Sequence, residues 1–164
     1  MRRVSTAAAA ALLLATAAHA QDEPVLYREF QNWGVYRYSD YCRAIAQYQT
    51  STLAIAYEAR RSLAVLHLRS QALRTFEDAK EYRFGMVLLQ NGKSVDSLGQ
   101  VSFTAINKSD FVGAMASMES DRLFEELSRS TAVAFTYDDR KIEAVELGEI
   151  GTVLNALKAC EVRR

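Results

Sequence analysis

Residues that bind metals or activate nucleophiles are scarce in this sequence. Its 164 residues include only two histidines and two cysteines. Zinc sites usually need three or four protein ligands, mostly Cys and His. The sequence also lacks a G-x-S-x-G elbow, an H-E-x-x-H motif and a glycine-rich phosphate-binding loop. We therefore expect no bound metal, no cofactor and no catalytic residue of a familiar type.

An excess of one charge and a long apolar run are missing as well. The chain has 20 basic and 20 acidic residues, so it lacks the positive charge typical of nucleic-acid-binding domains. Its longest apolar block, residues 7–18, is shorter than the ~20 residues that a membrane-spanning helix requires. These absences predict no nucleic-acid partner and no transmembrane segment in the working protein.

The N-terminus has the layout of a secretory signal peptide. Met1-Arg2-Arg3 is positively charged, an Ala/Leu-rich block follows, and Ala18-His19-Ala20 forms a small-x-small cleavage site. We predict that residues 1–20 are removed between Ala20 and Gln21 and that residues 21–164 form one periplasmic or secreted domain. The alternative is an apolar N-terminal helix of a cytosolic protein.

The two cysteines, Cys42 and Cys160, both lie in the expected mature chain. An even number of cysteines in an exported protein indicates a disulfide. This pairing would link residues 118 positions apart. The alternative is two free thiols, with Cys42 as a nucleophile activated by His67.

Apolar alternation predicts that strands make up most of the chain. The predicted strands are 33–38, 42–48, 52–58, 63–68, 81–89, 100–106, 131–137 and 141–147, with a weaker extended segment at 110–118. Charged residues 58–61 suit a hairpin turn, and Asn91-Gly92 is predicted to begin a longer connection over 90–99. Residues 121–127 are predicted to form a short helix, and residues 70–79 fit either a short helix or an irregular crossing.

The last predicted element is a helix. Thr152 is its expected N-cap, and Val153, Leu154, Leu157 and Cys160 form one apolar stripe at helical spacing. Cys160 would therefore face the sheet, where it could meet Cys42. The expected fold class is α+β with mostly antiparallel strands, as a β-sandwich or a curved sheet closed by this C-terminal helix.

The N-terminal third is rich in aromatic residues with interleaved arginines. Such side chains can stack on sugars or bases, or anchor a protein partner. We take Trp33, Tyr36, Tyr38 and Arg37 as candidate ligand contacts, with Arg43 in the same interleaved set. The competing interpretation is that the aromatic members fill the core and edge of the sheet.

His67 is the one histidine left after signal removal. It is predicted to be a structural or solvent-facing residue. The alternative is a catalytic histidine that works with a nearby carboxylate or hydroxyl group. The carboxylate pairs, among them Asp138-Asp139 and Glu125-Glu126, lie in predicted turns and on helix surfaces, which is typical of solvated charge.

Both ends of the mature chain resemble small exported proteins of Gram-negative bacteria, grouped with invasion-associated locus B. The shared points are an early W-x-V-Y segment (Trp33, Val35, Tyr36), Cys42, and the terminal pattern Gly151, Thr152, Ala156, Leu157 and Cys160. The resemblance implies a β-rich periplasmic domain and supplies no catalytic residues.

These observations favour an exported, non-enzymatic interaction module of undefined ligand. Its expected partner is another envelope protein or a cell-surface component. The alternative function is a small envelope hydrolase or inhibitor-like protein that uses His67.

Overall fold

The computed structural model describes residues 23–162, with side chains up to Cys160. The predicted signal peptide and its Ala20–Gln21 cleavage site lie outside the described residues. Residues 23–162 contain ten strands: β1 (Val25–Glu29), β2 (Trp33–Arg37), β3 (Cys42–Gln47), β4 (Ser51–Glu58), β5 (Leu63–Ser70), β6 (Glu81–Gln90), β7 (Lys93–Asn107), β8 (Val112–Glu119), β9 (Ala132–Tyr137) and β10 (Arg140–Glu146). The two α-helices are α1 (Ser120–Ser128) and α2 (Ile150–Val162), and short 3-10 segments cover Ala59–Arg61 and Gln71–Leu73.

All ten strands belong to one antiparallel sheet. Its order is β1-β2-β3-β4-β5-β8-β7-β6-β9-β10, so a five-strand meander is joined through β5 and β8 to the remaining strands. The expected class, mostly antiparallel β with a C-terminal helix, is confirmed.

Strands β4 and β5 have the faces that their alternation predicts. Leu53 and Ile55 of β4 and Leu66 of β5 point into the core and are at most 1% exposed. Ala54 and Ala56 point to the opposite face, where they pair with His67 and Val65 respectively. Neighbouring residues in one register share a face, so the pattern of one strand fixes that of the next.

One continuous core joins both halves of the sheet. Phe84 stacks on Phe103, and Phe103 contacts Phe135 edge to face, with ring centroids 5.1 and 6.0 Å apart. The same cluster contains Trp33 of β2 and Leu157 of α2. Early strands, late strands and the helix therefore all contribute side chains to one core.

The prediction of a long connection over 90–99 is wrong, because Asn91 and Gly92 alone connect β6 to β7. Asn91 and Gly92 have φ angles of 52° and 75°, and Gln90 pairs directly with Lys93. Two positive φ values make a tight hairpin turn whose twist matches that of the strands. Two bulges in the β6–β7 ladder accommodate extra residues of β7. The polar, exposed first half of β7 therefore stays paired with β6.

Two other local predictions differ from the structure. Strand β1 lacks a buried face: Val25 and Leu26 are 66% and 48% exposed, so periodicity gave no signal for it. Helix α2 begins at Ile150, which places Thr152 inside the first turn rather than at the cap. The backbone N–H groups of Thr152 and Val153 instead donate to the Glu149 carbonyl, at 3.0 and 3.2 Å.

A disulfide joins Cys42 of β3 to Cys160 of α2, with the two Cα atoms 6.1 Å apart. Both residues are fully buried, because α2 packs over the inner face of β2, β3 and β4. The predicted pairing is confirmed, and free cysteines are absent from the described part of the chain. The bond holds the last helix against strands near the beginning of the fold.

Candidate functional site

Trp33, the first candidate ligand contact, is a core residue. It is 2% exposed, and its indole Nε1 donates a 2.9 Å hydrogen bond to the Leu147 carbonyl. A buried indole needs such an acceptor, because an unpaired N–H in an apolar site is costly. This placement agrees with the interpretation of Trp33 as core.

Tyr36 and Arg37 lie on opposite faces of β2. The Tyr36 ring covers Gly34 so closely that a Cβ at position 34 would lie 2.6 Å from a ring carbon. The Arg37 guanidinium lies over the Tyr27 ring, 5.1 Å from its centroid. Its Nε is shielded from water and has no hydrogen-bond partner. Both candidates remain partly exposed and able to touch a ligand.

Tyr38 and Tyr41 flank the turn between β2 and β3. Their rings stack with centroids 4.6 Å apart and planes 8° apart. The Tyr38 N–H donates a 2.9 Å hydrogen bond to the Tyr41 carbonyl, which closes the turn. The stacked pair therefore forms a rigid aromatic group beside the outer face of the sheet.

A cleft of about 850 Å³ opens on the outer face beside this aromatic pair. Ala56 of β4 lies between Arg43 of β3 and Val65 of β5 in one register row. Strands two positions apart in a sheet are separated by ~10 Å, so a central alanine leaves a groove between the taller side chains beside it. Arg43 and His67 line the cleft from either side of Ala56, and Tyr41 lines it from the turn.

Positive charge predominates in the cleft. Arg43, Arg60 and Arg61 line it, together with Asp40 and Glu58. Glu58 pairs with Arg61 at 3.4 Å. Within the described residues, neither Arg43 nor Arg60 takes part in an ion pair. The Arg43 Nε is also shielded from water and lacks a hydrogen-bond partner.

His67 is half-buried in this cleft as a neutral imidazole. Burial and the positive charge of Arg43 lower its pKa from 6.5 to about 4. Both effects disfavour the protonated ring. At neutral pH the cleft therefore holds a fixed positive charge on Arg43 beside an uncharged ring that can donate or accept a hydrogen bond.

The geometry offers little support for His67 as a catalytic base. Across residues 23–160, no hydroxyl or carboxylate group forms a hydrogen bond with its ring. A pKa near 4 also makes the ring a weak base, whereas general bases work best with a pKa near the working pH. The described part of the chain contains no cluster of three or more His, Cys, Asp or Glu side chains suited to a metal ion.

A second cleft, of about 550 Å³, lies on the later strands. It is lined by Lys80, Tyr82, Arg83 and Tyr137, and by the Asp138-Asp139 turn. Both aspartates have positive φ angles, 47° and 59°, as a tight hairpin turn requires. Here Lys80 already pairs with Glu77 at 3.1 Å, so its charge is partly compensated.

No protein-family model, curated protein or solved structure matches this chain significantly. Separately, no helix in residues 23–162 combines the length and apolar character needed to cross a membrane.

The sequence contained the residues of the first cleft but not their arrangement. Arg43 and Tyr41 belong to the aromatic and arginine-rich segment, and His67 lies in a separate predicted strand. Their meeting depends on the register of β3, β4 and β5, which places Arg43 opposite Ala56 and His67 opposite Ala54. The available signal was the pair of outward-facing alanines in β4, since small residues on a solvent-facing strand leave room for a ligand.

Proposed function

We propose that this chain is an exported, non-enzymatic binding module whose ligand occupies the outer-face cleft around Ala56. The observation that carries the proposal is that Arg43 and His67 line one cleft of about 850 Å³ around this alanine. A ligand pocket is typically concave, with a few polar groups that fix orientation. The stacked Tyr38–Tyr41 pair adds a rigid aromatic contact at the rim.

The proposal places the protein in the periplasm or outside the cell. The charged, apolar and cleavage segments of residues 1–20 support export. The buried Cys42–Cys160 bond supports an oxidising compartment, because such bonds are rare in the cytosol. The partner is then another envelope protein or a cell-surface component that reaches the outer face of the sheet.

We also propose that the sheet curves into two layers of a sandwich, formed by β1–β5 and by the later strands. Three contacts of the early strands with β10 and the residue after it support this arrangement. Tyr48 donates a hydrogen bond to the Glu146 carbonyl, Ser70 donates one to the Glu143 carboxylate at 2.8 Å, and Trp33 reaches Leu147. The core then lies inside, and the Ala56 cleft lies on the outer surface of one layer.

The test is to fill the cleft without changing its charge. Ala56→Phe places an aromatic ring on the floor of the cleft. The control Ala134→Phe adds the same ring to β9, on the other half of the sheet and outside the cleft. The two alanines are matched, at 9% and 8% exposed. Wild type and both variants are immobilised, and captured envelope components are quantified by mass spectrometry after circular dichroism has verified folding. Loss of capture in Ala56→Phe alone supports the proposal, and equal capture by both variants contradicts it.

A further inference from the structure

We propose that the cleft ligand presents an anionic oxygen group, a carboxylate or a phosphate, to Arg43. This inference rests on the proposed function and specifies the chemistry of the same site. It follows from two features of the cleft: an arginine charge without an ion-pair partner, and a floor of small side chains that leaves space in front of it.

Arg43 is poorly compensated for a partly buried charge. Its residue is only partly exposed, its Nε is out of contact with water, and no described carboxylate pairs with it. A buried or half-buried charge is normally paired or hydrogen-bonded, because removal from water is costly. Arginine presents a planar set of donors that matches the two oxygens of a carboxylate or phosphate. An incoming anion would supply the missing acceptors.

The surrounding charges favour an anion at this end of the cleft. Arg60 also lines the cleft without an ion-pair partner, and the charge of Arg61 is balanced by Glu58 at 3.4 Å. His67 lines the same cleft as Arg43 and can donate an N–H to an anion bound there. Asp40 acts against this preference, because its carboxylate also lines the cleft and repels negative ligands.

The second cleft lacks this combination. Its Lys80 is paired with Glu77, and it also contains Glu81, Asp138 and Asp139. Arg83 of that cleft therefore serves as a matched arginine for the experiment, on the same sheet but away from Arg43.

The experiment follows the imidazole signals of His67 by NMR in the full-length chain at neutral pH. The His67→Asn spectrum identifies these signals against those of His19. The probes are acetate and inorganic phosphate, each titrated at constant ionic strength against chloride. A saturable shift of the His67 signals with acetate, phosphate or both, beyond that with chloride, is the expected result. The stronger probe identifies the oxygen group as carboxylate or phosphate.

Three variants locate the binding group. Arg43→Gln should weaken anion affinity by about tenfold or more, because a hydrogen bond to a charged group is lost. Asp40→Asn should tighten affinity by about threefold, because an exposed like charge is removed. Arg83→Gln should leave the titration unchanged. The wild-type titration does not depend on the folding of any variant.

Absence of a saturable shift in the wild-type protein overturns the inference. So does an equal loss of affinity in Arg43→Gln and Arg83→Gln. If Ala56→Phe abolishes capture of envelope components while neither anion binds, the cleft is still the ligand site and only its anionic preference is wrong. If the anions bind but Ala56→Phe captures normally, the anion site is real and the proposed function fails.

Discussion

The indole Nε1 of Trp33 donates a 2.9 Å hydrogen bond to the carbonyl oxygen of Leu147, 114 positions along the chain. Both residues are buried, at 2% and 0% exposed. The bond joins β2, near the start of the fold, to the segment between β10 and α2. A single side chain thereby links the early strands to the last elements.

Replacement of Trp33 by Phe should lower the free energy of unfolding by about 2–4 kcal/mol. The change leaves the Leu147 carbonyl without its donor and creates a cavity, and both effects destabilise a core. Urea unfolding followed by circular dichroism measures the loss, since Trp33 is the only tryptophan and fluorescence would disappear with it. The control Tyr36→Phe removes a hydroxyl group from the outer face and should cost less than ~1 kcal/mol. Equal losses would contradict the assignment of Trp33 to the core.

Reduction of the Cys42–Cys160 bond should lower the free energy of unfolding by about 4–5 kcal/mol, because the bond closes a loop of more than 100 residues in the unfolded chain. Denaturation with and without reductant measures the difference. The double variant Cys42→Ala/Cys160→Ala should have the lower free energy of unfolding whether or not reductant is present. A reduced protein with both thiols alkylated and unchanged stability would contradict this expectation.

The depressed pKa of His67 should make the protein less stable in acid. The folded-state pKa is about 4 and the ordinary value is 6.5, so the unfolded chain binds more protons between these values. Stability is fully present above pH 6.5 and falls as the pH drops towards 4. The loss is on the order of 2 kcal/mol, with allowance for partial solvent screening. His67→Gln should remove that part of the pH dependence, and equal slopes in both proteins would count against it.

Two glycines should respond to alanine with opposite signs. A Cβ at position 113 would lie 2.7 Å from the Leu68 carbonyl oxygen, so Gly113→Ala must displace a strand and should cost about 1–3 kcal/mol. A Cβ at position 151 would meet nothing closer than Ser128 at 3.8 Å, so Gly151→Ala should stabilise α2 by about 0.5–1 kcal/mol. Thermal unfolding of the two variants and the wild type measures both changes. Destabilisation by Gly151→Ala would show that the helix start is packed differently.

Export predicts the mass of the working protein. The chain recovered from the envelope should begin at Gln21, and its cysteines should take an alkylating label only after reduction. Intact-mass spectrometry of protein from its native host measures both properties. A full-length chain with two freely labelled thiols would contradict export and the proposed compartment.

The predictable parts of the fold are those that bury one face. Alternation predicts strands at 52–58 and 63–68, where Leu53, Ile55 and Leu66 are buried, and Asn91-Gly92 marks a turn. Strand β1 and the first half of β7 escaped prediction because their residues are mostly exposed, and their pairing comes from backbone hydrogen bonds to a neighbouring strand. Sequence periodicity reflects burial of one face, so it gives no signal for a strand that is paired but exposed to solvent on both faces.

The site was less predictable than the fold. The N-terminal third is rich in aromatics and arginines, but nothing in the spacing of Arg43 and His67 predicts that they line one cleft. Their proximity arises from two successive antiparallel pairings, in which the alanines of β4 lie between them. A shift of one residue in either pairing would move one of them to the core face.

The strand order also governs when this protein can fold. Helix α2, made from the last residues of the described chain, covers the inner faces of β2, β3 and β4, and Leu147 accepts the hydrogen bond of Trp33. The N-terminal meander therefore keeps its apolar face uncovered until α2 has been made. Contacts between such distant segments form slowly, because the long loop between them must first close. We therefore expect a nascent chain of this design to lack its native core through most of its synthesis, which would suit the proposed export through a narrow translocation channel.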